Sequence, residues 1–344
     1  MIPVKNIYYM LSYAFKTLRE SGYRSIETEN FDNVAELCSE ILFKGVSSQI
    51  KQGLYKEYIP VVEKTSSLKG KIDFTASQKE NTAISAQMIC SYDDFSTNSY
   101  LNQIIKTTIL YLIRSDISPK RKKNLKKVVI FFSDVNEIDI NSINWKIRFT
   151  RNNKTYEMLI SVCELVLNGL LQSQKDGNYK IMDYFDDQHM HRLYEKFILE
   201  FYRKERKDLT ANPTQIPWAL DDDYDDMLPT MQTDITLSKD DKVLIIDAKY
   251  YSHSTISRYD SQSLISGNLY QIFTYVKNEA EKVKEEGKTV EGMLLYARTD
   301  DEIVLENKEY SMSGNRIKVH SLDLSHDFIN IANQLSNIVD SSFN

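Results

Sequence analysis

The stretch Asp234 to Tyr251, DITLSKDDKVLIIDAKYY, holds three residues whose types and spacing suit phosphodiester chemistry. The run Val243 to Ile246 is apolar at every position, the pattern of a strand buried on both faces. It ends in Asp247-Ala248-Lys249. Residues two apart on a strand share a face and lie about 6.6 Å apart along its axis, so Asp247 and Lys249 point the same way. The polar cluster Ser238 to Lys242 predicts a turn back to a preceding strand, which brings Asp234 within reach. Two carboxylates suit Mg2+, which takes oxygen ligands and keeps several waters. The ion polarises a phosphoryl oxygen and acidifies a bound water. A lysine beside it can orient that water or steady developing negative charge. An Asp-x-Lys at a strand end also arises by chance in a charged protein, so the surrounding elements must carry the reading.

Those elements are legible on both sides of the motif. Upstream, Met190, Leu193, Tyr194, Phe197, Ile198 and Phe201 form a helical stripe bordered by Glu195. Downstream, Ser252 to Ser266 reads as a polar loop. A helix with Leu269, Phe273, Val276 and Ala280 follows, and it carries Gln271 and Tyr275 four apart on one face. Strands are expected over Val290 to Ala297, Ile303 to Leu305 and Ile317 to Ser321, then a helix from Asp327 to Val339. His253 lies close to Lys249 in sequence, within range to assist near a metal.

The first half predicts a helix beginning at Pro3, with Ile7, Met10, Leu11 and Ala14 on one face, and a second from Asn33 with Glu36 in a capping box. Tyr55 to Val62 and Leu68 to Phe74 read as strands around a turn at Thr65 to Ser67. Ile84, Ala86, Met88 and Cys90 alternate as a strand with one wet face. Helices follow over Thr97 to Arg114 and from Tyr156 to Leu170. The basic run Pro119 to Lys127 reads as a solvated helix face, with DNA phosphates or an acidic partner as the other use. Polar residues from Gln172 to Asn178 mark the expected boundary, giving domains 1–177 and 178–344.

Composition narrows the class. Hydrophobic content of 42% supports real cores, and a net charge of -6 provides no global basic field for nucleic acid. Cys38, Cys90 and Cys163 show no CxxC spacing and read as core thiols of a reducing, cytoplasmic environment. No apolar run is long enough for a membrane span. Gly287-Lys288-Thr289 mimics the end of a phosphate loop, but Lys282 stands where its first glycine belongs. His189, His191 and His253 lack zinc-site spacing.

A helix with Glu195, a strand with Asp234, a strand with Asp247 and Lys249, then a helix with Gln271 and Tyr275 is an order that resembles a RecB-like PD-(D/E)xK nuclease core. IPVKNIYYMLSYAF, SLKGKIDF, the Asn98/Asn102 helix, LPTMQTDI, LIIDAKYY and NLYQIFTYV extend the resemblance across the chain to the McrC family of McrBC modification-dependent restriction systems. The resemblance implies an α/β (α+β) fold: an N-terminal mixed helix/strand region that docks on a partner, then a restriction-endonuclease-like core with a central mixed sheet flanked by helices. It implies a Mg2+-dependent endodeoxyribonuclease, with Mn2+ as a substitute. Asp234, Asp247, Lys249 and Gln271 would be catalytic. Asp234, Asp247 and the Ala248 backbone carbonyl would be the metal ligands, with Glu195 as a further candidate that reads equally as an exposed glutamate on an amphipathic helix. Tyr275 would support the lysine or DNA. The implied partners are an McrB-like AAA+ GTPase hexamer, through which alone GTP acts, and methylated DNA. A stand-alone RecB-like repair nuclease and a non-catalytic GTPase-activating adaptor remain the alternatives.

Overall fold

The structure is a computed structural model and describes residues 2–20, 22–175, 187–222, 224–250, 255–258, 261–298 and 307–343. The chain divides into two compact units, one made of residues 1–34 with 185–344 and the other of residues 35–184. This differs from the contiguous halves expected from the sequence. The first 34 residues join the C-terminal unit because the apolar face of their helix is buried there. Helix α1 (Val4–Ala14) sets Tyr13 against Phe197, Phe201 and Phe328, and Tyr9 stacks on Phe328 with ring centroids 4.5 Å apart. Asn6 Nδ2 donates to the carbonyls of Leu324 and His326. The short α2 (Arg24–Thr28) follows.

The second unit begins with α3 (Val34–Gln52), then β1 (Glu57–Thr65), β2 (Lys71–Ile72), α4 (Phe74–Lys79), β3 (Met88–Ser96), α5 (Tyr100–Arg114), α6 (Pro119–Val129) and α7 (Tyr156–Lys175). β1 and β2 do not pair with each other; β3 lies between them, antiparallel to both. The strand expected through Ile84 starts later, at Met88. Asn81 and Ala86 adopt left-handed backbone (φ 48° and 52°) and bracket a 3-10 turn that leaves Ile84 exposed. The basic run is a helix, as its pattern predicts, but its Arg121 is buried. The Arg121 guanidinium donates to Glu36 and Glu40, and the Ser118 hydroxyl also donates to Glu36.

The rest of the first unit runs α8 (Asp187–Glu205), β4 (Thr210–Asn212), β5 (Gln215–Ile216), β6 (Met231–Gln232), β7 (Ile235–Lys239), β8 (Lys242–Lys249), β9 (Thr255–Arg258), β10 (Ser261–Leu264), α9 (Ser266–Lys282), β11 (Thr289–Arg298), β12 (Lys308–Met312), β13 (Asn315–Asp323) and α10 (Phe328–Phe343). Six strands form one mixed sheet in the order β12-β13-β11-β8-β7-β4. β8, β11 and β13 are parallel; β12, β7 and β4 run antiparallel to their neighbours. A mixed α/β architecture is therefore present. Where a polar loop was expected after β8, β9 and β10 form an antiparallel pair. The expected strand at 303–305 lies outside the described residues. No helix among the described residues is long and apolar enough to cross a membrane.

Strand alternation decides which helix meets which side chain. Val243 and Ile245 of β8 pack with Leu294 and Tyr296 of β11 and with Ile272 and Val276 of α9. The alternate residues face α8, where the Tyr250 ring meets Tyr194 edge-on. Gly292 of β11 permits the close seat of α9: a Cβ there would lie 2.6 Å from Val276 Cγ2 and 2.9 Å from Ile272 Cγ1.

Candidate active site

The site forms where β8 runs out. Val243 and Ile245 face α9, and the two-residue period places Asp247 and Lys249 on the same side. Antiparallel pairing of Ile235 with Ile246 sets Asp234, one residue before β7, across from Asp247. Asp234 Oδ2 accepts the Ala248 N–H at 3.0 Å, which ties the two strand ends together. The expected meeting of Asp234, Asp247 and Lys249 is thus present in the geometry.

Lys249 is buried and anchored. Its Nζ lies 2.9 Å from Asp247 Oδ2 and donates to Gln271 Oε1 at 3.1 Å. Gln271 Nε2 in turn donates to the Tyr275 hydroxyl at 3.0 Å. The i, i+4 pair read from the sequence therefore forms a relay from α9 to the lysine. An oxygen acceptor at Gln271 fixes the ammonium without cancelling its charge.

Asp247 is 1% exposed, and neither of its oxygens has a hydrogen bond of good geometry. Burial pushes its carboxyl well above the usual carboxylate range; Lys249 opposes that rise and the Asp234 charge adds to it. A buried carboxylate without hydrogen bonds is costly unless a cation compensates it. Lys249 compensates Oδ2 by charge, yet both oxygens lack a hydrogen bond of good geometry, and with Asp234 opposite they fit a hard divalent cation that completes its shell with water. Among the described residues no group of three or more His, Cys, Asp or Glu side chains is arranged as a metal cluster.

Glu195 sits on α8 and belongs to no group of three metal-ligating side chains among the described residues. Burial raises its carboxyl strongly; Asp234 and Asp247 add to the rise, while Lys249 opposes it. His191, one turn earlier, places Nε2 3.1 Å from Glu195 Oε1. Burial, then the Lys249 charge, lowers the His191 pKa, with Asp234 acting against them. In the sequence, the signal for this pair is the four-residue offset of His191 from Glu195. His253 lies outside the described residues. The described residues of the acidic run 221–226 are exposed.

Residues 4–297 match the model of a family described as "McrBC 5-methylcytosine restriction system component". The Escherichia coli (strain K12) protein described as "Type IV methyl-directed restriction enzyme EcoKMcrBC" is 27% identical over 346 residues, covering 99% of this chain and 98% of that one. Two solved assemblies from Thermococcus gammatolerans also match. The half-complex of McrB AAA+ hexamers with bound McrC has a TM-score of 0.48 at 16% identity, over 98% of this chain and 76% of that chain. The McrBC complex has a TM-score of 0.44 at 18% identity, over 59% and 58% respectively.

Proposed function

The chain belongs to the McrBC 5-methylcytosine restriction system component family, and from that premise we propose that it is the DNA-cutting subunit of a modification-dependent restriction complex. Its catalytic core is of PD-(D/E)xK type, built on β7, β8 and α9. The observation that carries this reading is the Asp247 carboxylate, buried at a strand end without hydrogen bonds, faced by Asp234 and flanked by an anchored lysine.

Asp234, Asp247 and the Ala248 carbonyl would hold Mg2+, or Mn2+ in its place. When bound, the ion polarises the scissile phosphate and acidifies a water. The chain's own residues do the rest. Lys249 presents a fixed positive charge where negative charge develops on the phosphate. Gln271 aims the Lys249 ammonium by accepting a hydrogen bond from it, and the Tyr275 hydroxyl fixes which end of the Gln271 amide faces the lysine. Pre-set orientation of this kind removes reorganisation from the reactive step.

The partner is an McrB-like AAA+ GTPase hexamer, and GTP acts only through it. The substrate is DNA carrying methylated cytosine. A net charge of -6 gives this chain weak affinity of its own for a polyanion, so engagement of DNA falls to the assembled complex.

The test is a cleavage time course on matched methylated and unmethylated plasmids, with and without partner, GTP and free Mg2+. Cutting is expected only with all three, and only on methylated DNA. Robust methylation-selective cutting by this chain alone, or undiminished cutting after thorough chelation, contradicts the proposal.

A further inference from the structure

α6 turns two faces to different surroundings. Arg121, Leu125 and Val128 are buried on one face, where the guanidinium holds Glu36 and Glu40 of α3. On the other, Lys123, Lys126 and Lys127 are exposed and Lys122 is half-buried, with Lys120 extending the face toward the helix start. The helix sequence PKRKKNLKKVV contains no acidic residue. The nearest acidic residues along the chain, Asp116 and Asp134, lie beyond its two ends. Among the described residues, none of Lys122, Lys123, Lys126 and Lys127 forms an ion pair.

Nothing in the helix itself favours this arrangement. Lys122 neighbours Lys126 and Lys123 neighbours Lys127, each four residues on, and like charges at that spacing repel. Cations in the last turn gain from the helix dipole, which accounts for Lys126 and Lys127 but not for Lys122 and Lys123. The joint at Arg121 fixes the roll of the helix, so the four ammonium groups stay on one side. An anion laid over the face removes the repulsion.

Charge density and residue type identify that anion. The four lysines lie within about 8 Å along the helix axis, and duplex DNA carries one charge per about 1.7 Å, so the two densities match. Lysine is depleted at protein–protein interfaces, whereas phosphates accept it as a point charge. The apolar surface beside the lysines is limited to Ile130 and Phe131, 71% and 60% exposed, far less than a stable protein interface buries.

We propose that the outer face of α6 binds the phosphate backbone of duplex DNA, without regard to sequence, through Lys122, Lys123, Lys126 and Lys127. The inference takes DNA as substrate from the function proposed above and adds where this chain holds it. A local patch coexists with a net charge of -6 because salt limits each charge's reach to about 10 Å.

The test is fluorescence anisotropy of the full-length chain with a labelled unmethylated duplex, in chelator and at several KCl concentrations. Lys122→Gln, Lys123→Gln, Lys126→Gln and Lys127→Gln together should flatten the slope of log affinity against log salt by about 3 to 4, each phosphate contact contributing about 0.9. The same four positions changed to Arg should keep the parent slope. A control with Lys16→Gln, Lys51→Gln, Lys79→Gln and Lys308→Gln makes the same change in net charge at exposed positions elsewhere, and should shift the slope by less than about 1. Thermal melts establish that each variant is folded. Equal losses in the α6 and control variants, an unchanged slope in the α6 Gln variant, or no binding by the parent at low salt overturns the proposal. Parent-level DNA binding with lost capture of an AAA+ partner also overturns it and assigns the face to protein. Binding in chelator is read without cleavage, so a failed face leaves the metal-dependent chemistry standing, and a failed metal site leaves the face standing.

Discussion

Each unit of the molecule buries a cluster of opposite charges, and the two clusters are satisfied very differently. In residues 35–184, Arg121 is 4% exposed and donates to both Glu36 and Glu40, with Ser118 completing Glu36. In the other unit, Asp247 is 1% exposed, has Lys249 beside it at 2.9 Å, and still lacks hydrogen bonds to either oxygen. A guanidinium fork matched to carboxylates suits a structural joint. A buried carboxylate left short, with a second aspartate facing it, suits a place that a cation fills. Charge type alone does not separate the two; hydrogen-bond completeness does.

The largest stability effect should come from the satisfied cluster. Arg121→Met takes the guanidinium from buried Glu36 and Glu40, leaving Glu40 only Lys44 at 3.7 Å, and removing one partner of a buried pair costs about 3–5 kcal/mol. Chemical denaturation of the full chain should show that loss. A loss below about 1 kcal/mol would mean that Arg121 is not the joint described.

The second effect links packing to the site. In Gly292→Val the new side chain would meet Val276 and Ile272, against which even a Cβ is too close. Overpacking of this kind costs about 1–3 kcal/mol. Because α9 carries Gln271, cleavage should fall more than the stability loss accounts for at a temperature where the variant is fully folded. Unchanged cleavage would separate the seat of α9 from the setting of Lys249.

The third effect runs opposite in sign to Arg121→Met. The folded-state pKa of Asp247 is raised, so the fold prefers the neutral carboxyl. Its stabilising contribution is fully present below the ordinary carboxylate pKa and is lost as pH rises through the raised folded value. Metal-free protein should therefore gain stability in Asp247→Asn at pH 8, by about 1 kcal/mol, and much less at pH 4. Thermal melts in chelator across that range check it; a destabilised Asn variant at pH 8 would place Asp247 with the satisfied clusters. The smallest effect is Tyr275→Phe, which removes only the far end of the relay. Cleavage should drop by about 10-fold or less, with stability within about 1 kcal/mol of the parent.

Much of the site was legible because it depends on local periodicity. The four apolar residues before Asp247 specify a strand buried on both faces, and the two-residue period then aligns Asp247 with Lys249. The four-residue period on α9 likewise aligns Gln271 with Tyr275. What sequence reading missed is non-local or depends on backbone conformation. The stripe of α1 is a sound helical signal, but nothing in it says that the partners are Phe197, Phe201 and Phe328, far along the chain. Apolar and polar residues alternate at Ile84 to Cys90, yet left-handed Asn81 and Ala86 break that strand before it starts. β12, KEYSM, has no apolar run to announce it and is ordered by pairing with β13. Arg121 shows the limit of charge patterning: its run looks solvated until the two glutamates of α3 are brought to it.

The central claim is that the unsatisfied cluster cuts DNA. It is tested most directly by measuring DNA cleavage and GTP hydrolysis together in the assembled complex carrying Lys249→Ala. The account predicts that cleavage falls by about 100-fold or more, while partner-dependent GTP hydrolysis stays at the parent level. Parent-level cleavage by a fully assembled Lys249→Ala complex would contradict it.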